Sequence, residues 1–167
     1  VEAGLQVRLD GAHAFDVDGQ AIARRIDNQC VDHPFEIVRA VTRAGHEIVA
    51  SDAFAEATRF AEVLGCPVYD QTVLQGAHFP SEHPTYLGPL SRDQKTVRAR
   101  LEPYDTLISL GSDFLRMSVY SEVEPLPPDV AIIQVGLRDW EMGKTYPADI
   151  AVRADVRETL RVLTPLI

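Results

Sequence analysis

Three short loops in this 167-residue chain combine residue types that could hold an anionic ligand. They are Ser51-Asp52-Ala53-Phe54, Gly111-Ser112-Asp113 and Gly136-Leu137-Arg138-Asp139. Each follows a short apolar run that reads as a strand. In an open α/β sheet, ligands bind beyond the carboxyl ends of the strands, where the strand order reverses. A glycine there lets the backbone approach a phosphate, and the next helix offers free N–H groups. The candidate ligand-binding residues are therefore Ser51, Asp52, Gly111, Ser112 and Gly136. The first loop lacks a glycine, and Asp52 is a good helix N-cap that would occupy those N–H groups itself. Its carboxylate would also repel a phosphate. At about 4 Å that repulsion is about 1 kcal/mol in water and about four times larger at an effective dielectric of about 20. In the second loop Ser112 could cradle a ligand, or Ser112 or Asp113 could cap the next helix in a tight turn.

Other chemistries find less support. His78 and His83 lie five apart in a Pro-rich loop, with Glu82 beside one of them. A zinc site needs three or four rigidly held ligands, so these read as loop histidines near a surface or interface. A small hydrolase built on Asp52, His78 and His83 is a remote alternative. No Gly-x-Ser-x-Gly elbow, Walker loop or Cys-His pairing is present. Tyr86, Tyr104, Tyr120 and Tyr146 read as packing residues with a solvated hydroxyl. The sequence thus nominates no catalytic residue and no metal ligand.

The elements that must position these loops alternate between helix and strand. Asp32 or His33 can cap a helix with Pro34 in its first turn. Phe35, Val38 and Val41 line one face of it, with Ile37 beside them, and Gly45 can end it. Residues 47–51 (EIVAS) read as a strand, and residues 53–64 as a helix with an Ala53, Ala57, Phe60, Ala61 and Leu64 stripe, stopped by Gly65. Residues 66–70 read as the second strand. Residues 71–90 read as a long irregular connection, of a kind that is often functional. Ser91 and Gln94 form a capping box for the next helix. Strands follow at 106–110, 130–135 and 149–153, with a helical turn at 138–143 between the last two. Asp155 and Glu158 cap a final helix whose Val156, Leu160 and Leu163 face inward. Short strands that are apolar on both faces suit a parallel sheet covered by helices. The expected fold is a three-layer α/β/α Rossmann-like domain with a mostly parallel sheet of five or six strands. Residues 1–31 read as a β-hairpin or as an extended interdomain connection, leaving 32–167 as the domain.

Composition narrows the class further. Hydrophobic residues make up 46% of the chain and are well distributed, which argues against disorder. A net charge of −9 argues against nucleic-acid or anionic-membrane partners. The apolar runs are strand-sized and too short to span a bilayer, and the N-terminus lacks a signal pattern. Cys30 and Cys66 lack a short metal-ligand spacing; they could pair in a secreted protein, but a cytosolic pair of free thiols is the favoured reading. A start at Val1 suggests a processed chain or a piece of a longer protein.

Several blocks, taken in order, resemble one family. They are residues 61–69 (AEVLGCPVY), 79–90 (FPSEHPTYLGPL), 104–115 (YDTLISLGSDFL) and 130–163 (VAIIQVGLRDWEMGKTYPADIAVRADVRETLRVL). The series is similar to the central domain of thiamine-diphosphate-dependent enzymes, of the benzoylformate decarboxylase and acetolactate synthase large-subunit type. The resemblance implies a parent enzyme acting on 2-oxo acids, with thiamine diphosphate and Mg²⁺ held between two flanking catalytic domains. This fragment would then hold no cofactor of its own. The resemblance also implies a homodimeric or homotetrameric parent. Some members bind FAD or ADP in the central domain, and many carry an acid directly after the strand that here precedes Gly136 and Leu137. The rival reading is a regulatory module that binds FAD, ADP or NAD.

Overall fold

The computed structural model describes residues 39–71 and 76–167. Expectations for residues 1–31, for Cys30 and for the first part of the helix placed at 32–45 lie outside these residues.

The chain's described part begins not with a helix but with a strand, β1 (Ala40–Ala44), buried along its whole length. The segment expected as a strand, 47–51, is instead the short helix α1 (His46–Ala50). Gly45, expected to stop a helix, follows β1 directly. Both segments are five-residue stretches that mix apolar and polar residues (AVTRA and HEIVA), too short for periodicity to separate helix from buried strand. The next elements match the sequence reading. Helix α2 (Phe54–Leu64) buries Ala57, Phe60 and Ala61 and ends at Gly65 with φ 61°. Strand β2 (Val68–Asp70) follows. The connection expected to be irregular contains strand β3 (Tyr86–Pro89). Helix α3 (Gln94–Leu101) is capped by Asp93, whose side chain accepts from Thr96 N at 2.7 Å, rather than by Ser91. Ser91 Oγ instead accepts from Asp93 N at 3.1 Å, bracing the cap from behind.

Strand β4 (Thr106–Leu110) is fully buried. No helix follows it. Residues 112–130 run without helix or strand, so neither Ser112 nor Asp113 is a helix cap. Strand β5 (Ala131–Gly136), a 3₁₀ turn (Asp139–Glu141) and strand β6 (Ile150–Arg153) come next. Helix α4 (Val156–Leu163) starts at Asp155, whose carboxylate accepts from Glu158 N at 3.0 Å, as its sequence predicts.

All six strands are parallel, in the order β3-β2-β1-β4-β5-β6. The chain moves outward from β1 to β3, then returns to β4 on β1's other side. The strand order therefore reverses between β1 and β4. One sheet face packs Ala40, Ala44, Ile108 and Val135 against Ile48, Phe60 and Leu160 of α1, α2 and α4. The other packs Val41, Leu107 and Ile132 against Val97 and Leu101 of α3 and against Phe114 and Leu115. The expected three-layer architecture is thus present, with an irregular segment replacing one helix of the second layer. Phe60 is 1% exposed at the centre of the first core. Truncating such a ring removes its transfer free energy and leaves a cavity.

One buried polar group sits against this framework with poor compensation. His78 is fully buried, and neither ring nitrogen has a hydrogen-bond partner. Burial pushes its pKa below the ordinary 6.5; the Asp70 carboxylate opposes that, while His46 and Arg43 add to it. Asp70, itself buried, accepts from Tyr86 Oη at 2.7 Å, and burial raises its pKa.

Two outcomes follow for stability. Phe60→Ala should cost about 3–5 kcal/mol, measured by urea unfolding. For His78 the folded pKa lies below the unfolded one, so as pH falls the unfolded chain takes up the proton first. Stability held above pH 6.5 is then lost progressively as pH falls towards the depressed folded value. Asp70, shifted upward, acts in the opposite sense in the more acidic range above 3.8. His78→Leu should therefore flatten the decline of melting temperature just below pH 6.5; an unchanged slope would remove His78 as its cause.

Candidate functional site

The switch point is built from the loops that leave β1, β4 and β5. Gly45 N donates to Leu110 O at 3.0 Å, Glu47 N to Gly111 O at 3.2 Å, and Gly111 N to Val135 O at 2.7 Å. These bonds pull the three loops into one crest. A Cβ on Gly45 would lie 2.3 Å from Gly111 O and from Ser112 Cα. At Gly111 a Cβ would lie 2.3 Å from Glu47 Cβ, and φ is +56°, which side chains disfavour. The glycines therefore serve contact between loops and with Glu47.

Glu47 fills the crevice. It is brought in by α1 directly after β1, and its side chain is about one-tenth exposed. Oε2 accepts from Leu137 N at 2.7 Å, and Oε1 accepts from Arg138 Nε at 3.1 Å. The same Arg138 lies 2.7 Å from Asp113 Oδ1 and 3.3 Å from His46 Nδ1. Arg116 reaches Asp113 Oδ2 at 2.9 Å, and Lys144 reaches Glu141 at 3.1 Å. Arg43, 1% exposed on the central strand, donates to the Asp113 carbonyl and lies 3.4 Å from Ser112 Oγ. Burial lowers its pKa to about 10, with Asp113 opposing. Ser112 Oγ also sits 2.6 Å from Ser109 Oγ. Gln134 accepts from Gly143 N at 3.0 Å, while its buried amide nitrogen has no partner. The void among Glu47, Ser109, Ser112, Gln134 and Glu141 is about 10 Å³. That volume is at the lower limit for a single water.

Gly111, Ser112 and Gly136 do meet at this crest. Ser51 and Asp52 do not, because the segment that precedes them is α1 and not a strand. Ser51 Oγ donates to Glu47 O at 2.7 Å, closing α1. Asp52 has φ 52°, a largely exposed side chain, and Arg157 at 3.7 Å. It is no cap: Ala53 holds the position before α2, without a side-chain bond. The first crevice loop does have a glycine, Gly45, one residue past β1. The loop after β5 has no acid at Gly136 or Leu137, and Glu47 from α1 accepts from the Leu137 N–H there. Sequence reasoning does not single out Glu47, His46 or Arg43. The signal lies in Gly45 and Glu47 directly after an apolar run, once that run is taken as a strand.

His78 and His83 have separate surroundings, His78 buried without a hydrogen-bond partner and His83 engaged with its neighbours. His83 Nδ1 lies 2.8 Å from Thr85 Oγ1 and Nε2 lies 3.3 Å from Glu62, tying the loop to α2. Among the described residues no three His, Cys, Asp or Glu side chains converge as a metal site would need. Tyr86 differs from the expected solvated packing residue in spending its hydroxyl on Asp70. Cys66 is a buried free thiol, 3.1 Å from Thr42 Oγ1. No helix among the described residues is long and apolar enough to cross a membrane.

Comparison with known proteins agrees with the blocks in the sequence. Residues 37–163 match the family described as thiamine pyrophosphate enzyme, central domain. The chain is 31% identical over 139 residues to the acetolactate synthase large subunit of Corynebacterium glutamicum, covering 83% of this chain and 22% of that protein. A Mycobacterium smegmatis protein assigned as a thiamin diphosphate-dependent enzyme has a similar structure. Its TM-score is 0.73 at 25% identity, covering 97% of this chain and 30% of that one. Benzoylformate decarboxylase from Polynucleobacter necessarius shares the fold, with a TM-score of 0.71 at 20% identity, covering 77% of this chain and 24% of that one. The chain thus spans less than a third of the length of these relatives. On its sequence match and its six-stranded parallel sheet, it belongs to the thiamine pyrophosphate enzyme central-domain family.

Proposed function

We propose that this chain is the non-catalytic central domain of a thiamine-diphosphate-dependent decarboxylase, lyase or carboligase acting on 2-oxo acids. Its role is architectural: residues 32–167 form the body that joins and braces flanking catalytic domains, with residues 1–31 as a connection. The observation that carries this reading is the filled switch point. The place where such a sheet would hold a ligand is occupied by Glu47 and Arg138. The remaining void, about 10 Å³, leaves no room for a coenzyme.

The described residues do not fit thiamine diphosphate with its metal. A diphosphate–Mg²⁺ pair needs one or two carboxylates free for the cation, and the acids at the crest are already paired, Glu47 and Asp113 with Arg138 and Glu141 with Lys144. Thiamine diphosphate and Mg²⁺ belong, in this reading, to the flanking domains of a cytoplasmic, dimeric or tetrameric parent. The crevice likewise disfavours FAD, ADP or NAD. A phosphate there would have to displace a carboxylate already bonded to the available N–H and guanidinium groups.

Calorimetry of the purified chain with thiamine diphosphate and Mg²⁺ should show no binding. Micromolar affinity would overturn the proposed division of roles. A thermal-shift series with FAD, NAD and ADP should be flat. A ligand at about 100 times its dissociation constant would add about 2.7 kcal/mol of stability, so a silent series is informative.

A further inference from the structure

Glu47 makes the contacts that a bound anion would make. Its carboxylate takes the Leu137 N–H at 2.7 Å and the Arg138 guanidinium at 3.1 Å, within a crest that also presents His46. The surroundings are shaped to the whole side chain. Gly111 has no Cβ where Glu47 Cβ passes, and Gly136 has none where Oε2 rests, 2.9 Å from the ideal Cβ position. Arg138 is held in place from its far side by Asp113 at 2.7 Å. The receptor groups are therefore fixed by partners other than Glu47 itself: the backbone of β5's end and the Asp113 carboxylate.

We propose that the crest is a receptor for a small carboxylate, permanently occupied by Glu47 as an internal ligand, and that this occupancy makes the domain refuse anionic ligands. The inference deepens the architectural reading and rests on it. An intramolecular carboxylate competes at the high effective concentration of a tethered group, so a free phosphate or carboxylate gains nothing by entering. Removing the side chain beyond Cβ deletes a CH₂–CO₂⁻ unit. Acetate has the size and charge of that unit, and its oxygens can accept the same two hydrogen bonds. Arg138 offers its Nε–H to either occupant, its other two nitrogens facing Asp113 and His46.

The test is chemical complementation of Glu47→Ala in the full chain. Its melting temperature should fall below that of the wild type. It should then rise saturably by a few degrees with sodium acetate, but not with sodium chloride or acetamide at matched concentration. The wild type and Glu47→Gln, in which the crevice stays filled, should show no acetate-specific rise. Adding Arg138→Ala to Glu47→Ala should abolish the response. Equal behaviour of folded Glu47→Ala in acetate and chloride overturns the proposal, as does an equal acetate response in Glu47→Gln. If Glu47→Ala does not fold in chloride, its refolding yield in acetate against chloride decides instead: a gain supports the proposal, and no gain overturns it. Failure here leaves the architectural role standing if the wild type still ignores thiamine diphosphate with Mg²⁺. Binding of that cofactor sinks the role irrespective of acetate.

Discussion

The geometry of the crest depends on one interaction, the Glu47 carboxylate held between the Leu137 N–H and Arg138. It links the loop after β1 to the loop after β5 across the loop after β4. The energetic balance is close. A hydrogen bond to a charged group contributes about 1.5–3 kcal/mol, while taking each ion out of water costs several kcal/mol. The pair therefore adds little net stability. What it adds is position: Gly111 and Gly136 lack the Cβ atoms that would collide with the Glu47 side chain, so it can reach across the crest. Losing Arg138 would leave the Glu47 carboxylate with the Leu137 N–H alone, the larger penalty, whereas losing Glu47 leaves Arg138 paired with Asp113.

The two sheet faces divide the work differently. The face under α1, α2 and α4 is mostly apolar, with the buried Thr42, Asp70 and Thr106 among Ala40, Ala44, Val68, Ile108 and Val135. The opposite face carries Arg43, Ser109 and Gln134 near the ends of the three central strands, all buried. Arg43 holds the Asp113 carbonyl, and Asp113 in turn orients Arg138. The irregular segment that replaces a helix after β4 is thus anchored by a cation in the middle of the sheet. A continuous helix starting at Ser112 would aim these groups elsewhere.

The sequence reads well where elements are long or capped by an acid. Residues 54–64 and 156–163 show a clear helical stripe, and Asp155 announces its helix. The strands at 106–110 and 131–136 stand out because they are apolar, β-branched and bounded by Gly111 and Gly136. The reading fails from 40 to 51, where Val38 and Val41 mimic a helical spacing. A buried central strand has no alternation to betray it. The error propagates: with β1 misplaced, Gly45 resembles a helix stop, Ser51 and Asp52 resemble a crevice, and Glu47 goes unnoticed. At 91–94 two caps compete, and the choice of Asp93 over Ser91 turns on which side chain reaches Thr96. Strand β3 is hidden because Gly88 and Pro89 argue against a strand, a rule that relaxes at a sheet edge. Tertiary pairing with β2, not local propensity, makes it extended.

That edge has a consequence for how the domain meets its surroundings. Pro89 has no N–H to offer, Gly88 turns at φ +83°, and the register with β2 slips between Val68 and Asp70. At the other margin β6 has only four residues and ends at the largely exposed Arg153, paired with Asp139 at 3.1 Å. Both borders are thus poor templates for an incoming extended chain. Among the described residues, neither border of the sheet invites enlargement by strand addition or stacking into fibrils.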